Sequence, residues 1–343
     1  GSEMCIRDRP GPVNWAPYNP APDPGAVRFW AWEAFAAGAE LVSYFRWRQP
    51  SFAQEQMHEA LLLPNGEFNE AYHACEQISA ELSQFETVAN GTPGDVALVF
   101  DYESQWAWEI QPQGEDFSYF ELVKRFYRAL RKKGINVDII PPRPEAIANH
   151  KLIVMPGIFA LDDSFIDAVE QSGAIVLAGP RTGSKNKDFQ IVEDLPPGPL
   201  RRLVDLKITR VESRPPFAPI VIDKERALEG WREFVQPGVD VSELMKSKDG
   251  HGALFEHGNT IYVAGRPNTE LANHVVAHAL DRAGIKSHKL HRDIRMRDNG
   301  NIRYIFNYGP EPVDCAQLVN GQKILMGQAV LEPKGVLVVA LQN

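Results

Sequence analysis

Between residues 96 and 180 the apolar positions switch back and forth between short continuous runs and a spacing of three to four. The runs "VALVFD" (96–101), "NVDII" (136–140), "KLIVMPG" (151–157) and "AIVLAGP" (174–180) predict strands, and the spaced segments predict helices from Ser118 to Lys133 and from Asp163 to Ser172. In the first helix Tyr119, Leu122, Val123, Phe126 and Leu130 share one face, and Gly134 stops it. This alternation implies a doubly wound, mostly parallel sheet. Residues 200–268 add irregular strands and the hairpin "ALFEHGNTIYVAG", after which Thr269 is expected to cap a helix ending at Gly284. The middle domain therefore closes near residue 287.

On either side the pattern differs. Upstream, Val27–Gly38 reads as helix, "ELVSYFRW" as strand, and "NEAYHACEQISAELSQF" as a helix from Asn69 to Phe85 with Asn69 as N-cap. This is one and a half α/β units. A parallel strand needs neighbours, and the residues upstream of it carry no second apolar run, so residues 11–88 are expected to expose apolar faces and to be mobile or aggregation-prone. "NGTPGD" (90–95) is a linker by composition. Downstream, "IRMRDNGNIRYIFN" alternates about Asn299-Gly300, a hairpin signal, and "GVLVVAL" supplies a closing strand; together they predict a small antiparallel β domain.

Composition adds exclusions. A chain of 343 residues suggests two or three domains, and a formal net charge of -9 argues against nucleic-acid binding, which needs clustered cations. The basic stretch Lys124, Arg125, Arg128, Arg131, Lys132 and Lys133 lies on one predicted helix and is expected to be a solvated face. Cys5, Cys75 and Cys315 are far apart, with neither zinc-site nor disulfide spacing, which fits a reducing, cytoplasmic setting. No apolar run is long enough to span a bilayer, and no signal-peptide core is visible.

Three places could carry chemistry. The Pro-rich loop "GPVNWAPYNPAPDPG" holds Trp15, either a flat wall against a sugar face or an anchor of the loop to the core. The strand ending in Arg46, Trp47 and Arg48 is followed by Glu55 and His58, which at i, i+3 could bond one polyhydroxylated ligand or form a surface ion pair at a helix start. His274 and His278 have metal-ligand spacing, but the Glu of HExxH and a third ligand are missing, so packing or surface histidines are the favoured reading and no metal is assigned. "GSKNKDF" (183–189) lacks the P-loop Lys-Ser/Thr pair, Cys75 reads as a packing residue, and no Gly-x-Cys-x-Gly elbow follows "AIVLAG".

The segment "PGPVNWAPYNPAPDPGAVRFWAWEAFAAGAELVSYFRWRQ", followed by "EQMH", resembles the end of the catalytic (β/α)8 barrel in β-galactosidases of glycoside hydrolase family 42, from Pro10 to about residue 88. The order that follows is similar too. The resemblance implies an α/β chain of three parts: a barrel remnant (10–88), a flavodoxin-like or class I amidotransferase-like trimerisation domain (92–287), and a β-sandwich-like C-terminal domain (288–343). Residues 1–9 look foreign, since "SEMCIRDR" resembles a translated sequencing-adapter peptide, and they are expected to be a non-native leader. The implied activity is retaining hydrolysis of terminal β-D-galactosyl groups by two glutamates about 5–5.5 Å apart, without cofactor, in a homotrimer. Carried over by motif, Trp15 walls the galactose subsite, and Glu55 and His58 bond its hydroxyls. The family's nucleophile glutamate stands eight residues before that tryptophan, where this chain has Arg7, and a guanidinium cannot attack an anomeric carbon. The acid/base glutamate belongs to an earlier strand end absent from the chain. It is therefore expected to be inactive alone; the alternative is a non-catalytic oligomerisation module with at most weak galactose binding.

Overall fold

The computed structural model describes residues 5–8, 11–13, 16–85 and 93–341, with only the backbone described for 5–8. The chain divides into two compact units, one of residues 93–289 and one of residues 1–92 together with 290–343.

The amino-terminal segment runs β1 (Cys5–Asp8), α1 (Ala26–Ala36), β2 (Leu41–Tyr44) and α2 (Glu70–Leu82). Asn69 caps α2 as expected, its side chain accepting from the Glu70 N–H at 2.8 Å. The apolar pattern of the sequence offers β2 no upstream neighbour. Instead β1 pairs with it in parallel, from Cys5 opposite Leu41 to Asp8 opposite Tyr44. "CIRD" has no apolar run to announce a strand, so its pairing depends on β2 rather than on its own pattern.

The middle unit runs β3 (Val96–Val99), α3 (Tyr102–Ile110), α4 (Tyr119–Arg131), β4 (Val137–Ile140), β5 (Leu152–Met155), α5 (Asp163–Ser172) and β6 (Ile175–Ala178). It continues with β7 (Leu206–Ser213), β8 (Ile220–Val221), β9 (Ala227–Pro237), β10 (Ser242–Lys246), β11 (Gly252–His257), β12 (Thr260–Val263), β13 (Gly265–Pro267) and α6 (Thr269–Arg282). The main sheet has the order β10-β11-β12-β6-β5-β3-β4. From β12 to β4 the pairs are parallel, and the β10-β11-β12 edge is antiparallel. "VALV", "LIVM" and "IVLA" are buried at every position, as strands covered on both faces must be.

Three expectations about the helices need correction. Helix α3 went unpredicted because Tyr102, Trp106 and Ile110, four apart, face solvent, while the buried side carries only Ser104 and Trp108. Helix α6 is capped by Asn268, whose Oδ1 accepts from the Leu271 N–H at 2.9 Å, and Thr269 is its first residue. The basic stretch on α4 is not one solvated face either: Arg131 is buried and donates to the Ile135 carbonyl at 2.6 Å, while Arg125 pairs with Glu229 at 2.7 Å. Long cationic stems bury readily when the head finds an acceptor, so residue type alone misplaced them.

A second sheet, β13-β9-β7 with β8 on β9, holds buried Arg232 between Glu212 and Asp249. Burial pushes the Asp249 carboxyl up, but the Ser247 hydroxyl and Arg232 outweigh it and bring it from 3.8 to about 2. A carboxyl held below its unfolded value stabilises the fold above that value and loses the contribution as pH falls through the folded one. Acid titration from pH 4 to pH 2 should therefore show a stability loss that Asp249→Asn removes, read by hydrogen exchange at β9.

The chain ends with β14 (Ile294–Asn299), β15 (Ile302–Asn307), β16 (Val313–Asp314), α7 (Ala316–Val319), β17 (Ile324–Met326), β18 (Val330–Leu331) and β19 (Val336–Ala340). Antiparallel strands in the order β14-β15-β19-β17 form a sheet, so β19 lies inside it rather than closing it. The hairpin turns one residue later than expected, with Asn299 opposite Ile302 and Gly300 at φ 60 opening a II′-type loop. Buried Asn299 is held in the strand by its amide, which donates to the Phe35 and Ala36 carbonyls at the end of α1 (3.4 and 3.5 Å). Phe29, Trp32 and Phe35 of α1 share a core with Ile302, Tyr304 and Phe306 of β15 and Val336 and Val338 of β19. The apolar face of α1, expected to lie bare, is thus covered by the carboxyl-terminal sheet.

Candidate functional site

Past the carboxyl end of β2 the chain turns through Phe45, Arg46 and Trp47, and this turn is stitched to a later loop. Leu61 N–H donates to the Arg46 carbonyl (3.0 Å), and Leu62 N–H donates to the Trp47 carbonyl (2.8 Å). Those bonds bring residues 55–58 back over the strand end. Residues 54–57 are turns rather than the start of a helix, and the His58 N–H donates to the Glu55 carbonyl at 3.0 Å.

Glu55 and Arg46 form a half-exposed ion pair through Oε2 and Nη2. The Arg46 guanidinium also lies 4.5 Å from the centre of the Phe45 ring. His58 is only 4% exposed, its ring edge-on to Phe45 at 5.2 Å. Glu55 therefore presents a carboxylate already oriented by a cation, and His58 is buried against Phe45 in the same turn. The expected surface ion pair of Glu55 and His58 at a helix start is replaced by a pair of Glu55 with Arg46 at the strand end.

Trp15 lies outside the described residues. The loop it belongs to reaches the same region, since Glu59 N–H donates to the Pro12 carbonyl at 3.1 Å. A cleft of about 630 Å3 runs along that loop, lined by Pro12, Val13, Tyr18, Pro22, Trp30 and Lys334 among others. Arg7 is on β1 in register with Ser43 of β2. Sequence reasoning missed the aromatic shoulder beside the site, where Phe68 stacks on Tyr72 at 4.0 Å and exposed Trp47 approaches Tyr72 at 6.3 Å. Its signal was available, as Phe68 and Tyr72 are four residues apart across a helix N-terminus.

The other candidates resolve separately. His278 bonds Glu256 at 2.6 Å, an acceptor that Arg282 shares, and burial lowers the pKa of His274. Among the described residues no three potential ligands converge on a metal-sized space. Cys75 is half-buried on α2, and burial pushes the Cys315 thiol up to about 11. After β6 come Gly179, Pro180 and Arg181 where an amidotransferase would place its cysteine elbow.

Comparison with known proteins fits this geometry. Residues 94–286 match the β-galactosidase trimerisation domain, and residues 3–85 match the β-galactosidase domain. The second match begins inside the segment that sequence reading had set apart as a leader. The β-galactosidase of Thermus thermophilus is 41% identical over 336 residues, covering 97% of this chain and 51% of that protein. BgaA of a Thermus species is 42% identical, with 95% and 50% covered. The crystal structure of the β-galactosidase from Marinomonas ef1 superposes with a TM-score of 0.92 at 34% identity, covering 98% of this chain and 52% of that one. The haloarchaeal enzyme of Halorubrum lacusprofundi gives 0.89 at 29%, with 98% and 53% covered. The chain spans about half the length of the curated relatives it matches. With the trimerisation domain alone matching more than half of its residues, the chain belongs to the β-galactosidases of glycoside hydrolase family 42.

Proposed function

We propose that the chain is the carboxyl-terminal part of a retaining β-galactosidase, inactive by itself. In this reading β1 and β2 are the last two strands of a (β/α)8 barrel, residues 92–287 are an amidotransferase-like trimerisation domain, and 288–343 form the C-terminal β domain. The observation that carries it is the parallel β1–β2 pair with Arg46, Glu55 and His58 gathered past the carboxyl end of β2, the end at which such barrels build their sites. There Glu55 and His58 would bond galactose hydroxyls, Trp15 would supply the apolar wall, and the two catalytic carboxyls would come from outside this set. A cytoplasmic homotrimer without cofactor is the setting it implies. No helix among the described residues is long and apolar enough to cross a membrane.

A chimera tests the site. The amino-terminal half of the Thermus thermophilus enzyme, joined ahead of this chain with Arg7→Glu, should hydrolyse β-galactosides. Adding Glu55→Ala should then lower kcat/KM about tenfold to a hundredfold, the cost of a lost hydrogen bond to a charged group. An unchanged kcat/KM would remove Glu55 from the sugar site. A second reading, a non-catalytic oligomerisation module holding galactose weakly at most, draws on the trimerisation-domain match across 94–286. A folded chimera without turnover would favour it.

A further inference from the structure

The carboxyl ends of β5 and β6 meet a tight turn, residues 179–185, that no part of the glycosidase reading uses. Thr182 fixes it: its hydroxyl donates to the Met155 carbonyl and accepts from the Gly157 N–H at 3.0 Å. The Gly183 and Lys185 N–H groups donate to the Ile158 and Phe159 carbonyls at 2.8 and 2.9 Å. A Cβ at Gly183 would fall 2.0 Å from the Pro197 carbonyl oxygen, so the backbone is packed without slack.

Two cations are buried on this turn. Arg181 and Lys185 are each 6% exposed, and both face aromatic rings: the Arg181 guanidinium lies 5.3 Å from Trp231 and 5.5 Å from Phe159, and Lys185 Nζ lies 4.7 Å from Phe159. Trp108 stacks on the same Phe159 at 5.1 Å. Among the described residues Arg181 Nε, Ser184 Oγ and Trp108 Nε1 are buried with no hydrogen-bond partner. Lys185 Nζ donates to the neutral Gln111 amide oxygen at 3.2 Å.

The nearby carboxylate does not balance them. Glu233 accepts from the Arg181 backbone N–H (2.9 Å) and the Tyr262 hydroxyl (2.6 Å); burial pushes its pKa up, and the Arg181 charge opposes that shift, so this one carboxylate is engaged with Arg181 and leaves Lys185 unmatched. Among the described residues, two buried cations thus share one carboxylate in a place where an unpaired charge is costly. Such a cluster suits an acceptor-rich guest. It also stands at the carboxyl ends of parallel strands, where open α/β sheets take ligands.

We propose that Arg181, Ser184 and Lys185 form a binding site for a small carboxylate or phosphate anion. Arg181 supplies the planar fork, Lys185 the point charge near the surface at Gln111, and the aromatic rings the dry walls. The site is separate from sugar hydrolysis, and its test does not depend on it. The full chain is titrated with sodium phosphate and, in a second arm, with sodium acetate at constant ionic strength set by chloride. Melting temperature and tryptophan fluorescence are read in both. At least one anion should give a saturable rise, and which arm saturates identifies the guest. Lys185→Gln should weaken it at least about tenfold, as loss of a charge-assisted bond does. Ser184→Ala, which removes a donor but no charge, should weaken it severalfold and carries the test where Lys185→Gln does not fold. No saturable shift in either arm, or a shift that both variants retain, overturns the proposal.

Discussion

Incubated with a chromogenic β-galactoside, the chain should release no product above the buffer rate. Retention needs one carboxylate to attack the anomeric carbon and one carboxylic acid to protonate the leaving oxygen, the two about 5–5.5 Å apart. In the proposed reading the nucleophile position is taken by Arg7, which lies on β1 in register with Ser43. Its charge has the wrong sign to stabilise an oxocarbenium-like transition state and it has no lone pair to offer at ordinary pH. Groups that act as a unit fail together, so the loss should exceed about 10^4-fold against the Arg7→Glu chimera, whereas losing a residue that only bonds the sugar, the role proposed for Glu55, costs far less. Turnover by the unmodified chain that scales with its concentration and survives Glu55→Ala would mean that the chemistry runs through other residues.

How far the sequence reached depends on whether a segment's structure is decided locally. The strands "VALV", "LIVM" and "IVLA" were legible because burial on both faces forces a continuous apolar run. Helix α4 was legible because a single apolar stripe meets the sheet. Strand β1 and the Asn299 register were not, since each depends on a distant partner, β2 in one case and the carbonyls ending α1 in the other. The same holds for the site. Strand-end chemistry singled out Glu55 and His58, but the Arg46 pair and the burial of His58 follow from loop-to-loop backbone bonds at Leu61 and Leu62. Arg181, Thr182, Ser184 and Lys185 are polar, yet all are buried, because neighbouring carbonyls and the Thr182 hydroxyl satisfy the backbone of their turn. Polar residues carry no sequence signal for burial when their partners are remote.

Trp32→Ala should cost the unit of residues 1–92 and 290–343 about 3–5 kcal/mol, the range for truncating a buried aromatic. Trp32 is 1% exposed and is wedged between Phe35 (5.8 Å), Phe85 (5.6 Å) and Tyr304 (6.3 Å), so α1, the segment just after α2 and β15 all lose a contact surface at once. Its indole N–H donates to Glu81 Oε2 at 2.8 Å, and Arg28 Nε donates to the same carboxylate at 2.8 and 2.9 Å. Trp32→Phe keeps most of the volume and leaves Glu81 paired to Arg28, so it should cost only about 1–2 kcal/mol, a hydrogen bond plus a small void. A chain with two units need not unfold in one step, so the reading has to be local. Amide exchange at β15 and β19 should accelerate in Trp32→Ala, while β3, β5 and β6 keep their protection. A two-stranded parallel sheet cannot by itself cover its helix, and the carboxyl-terminal sheet packs over α1 through Phe29, Trp32 and Phe35. If β15 and β19 stay as protected in Trp32→Ala as before, that sheet stands without α1, and the covering contact is not what keeps residues 16–85 folded.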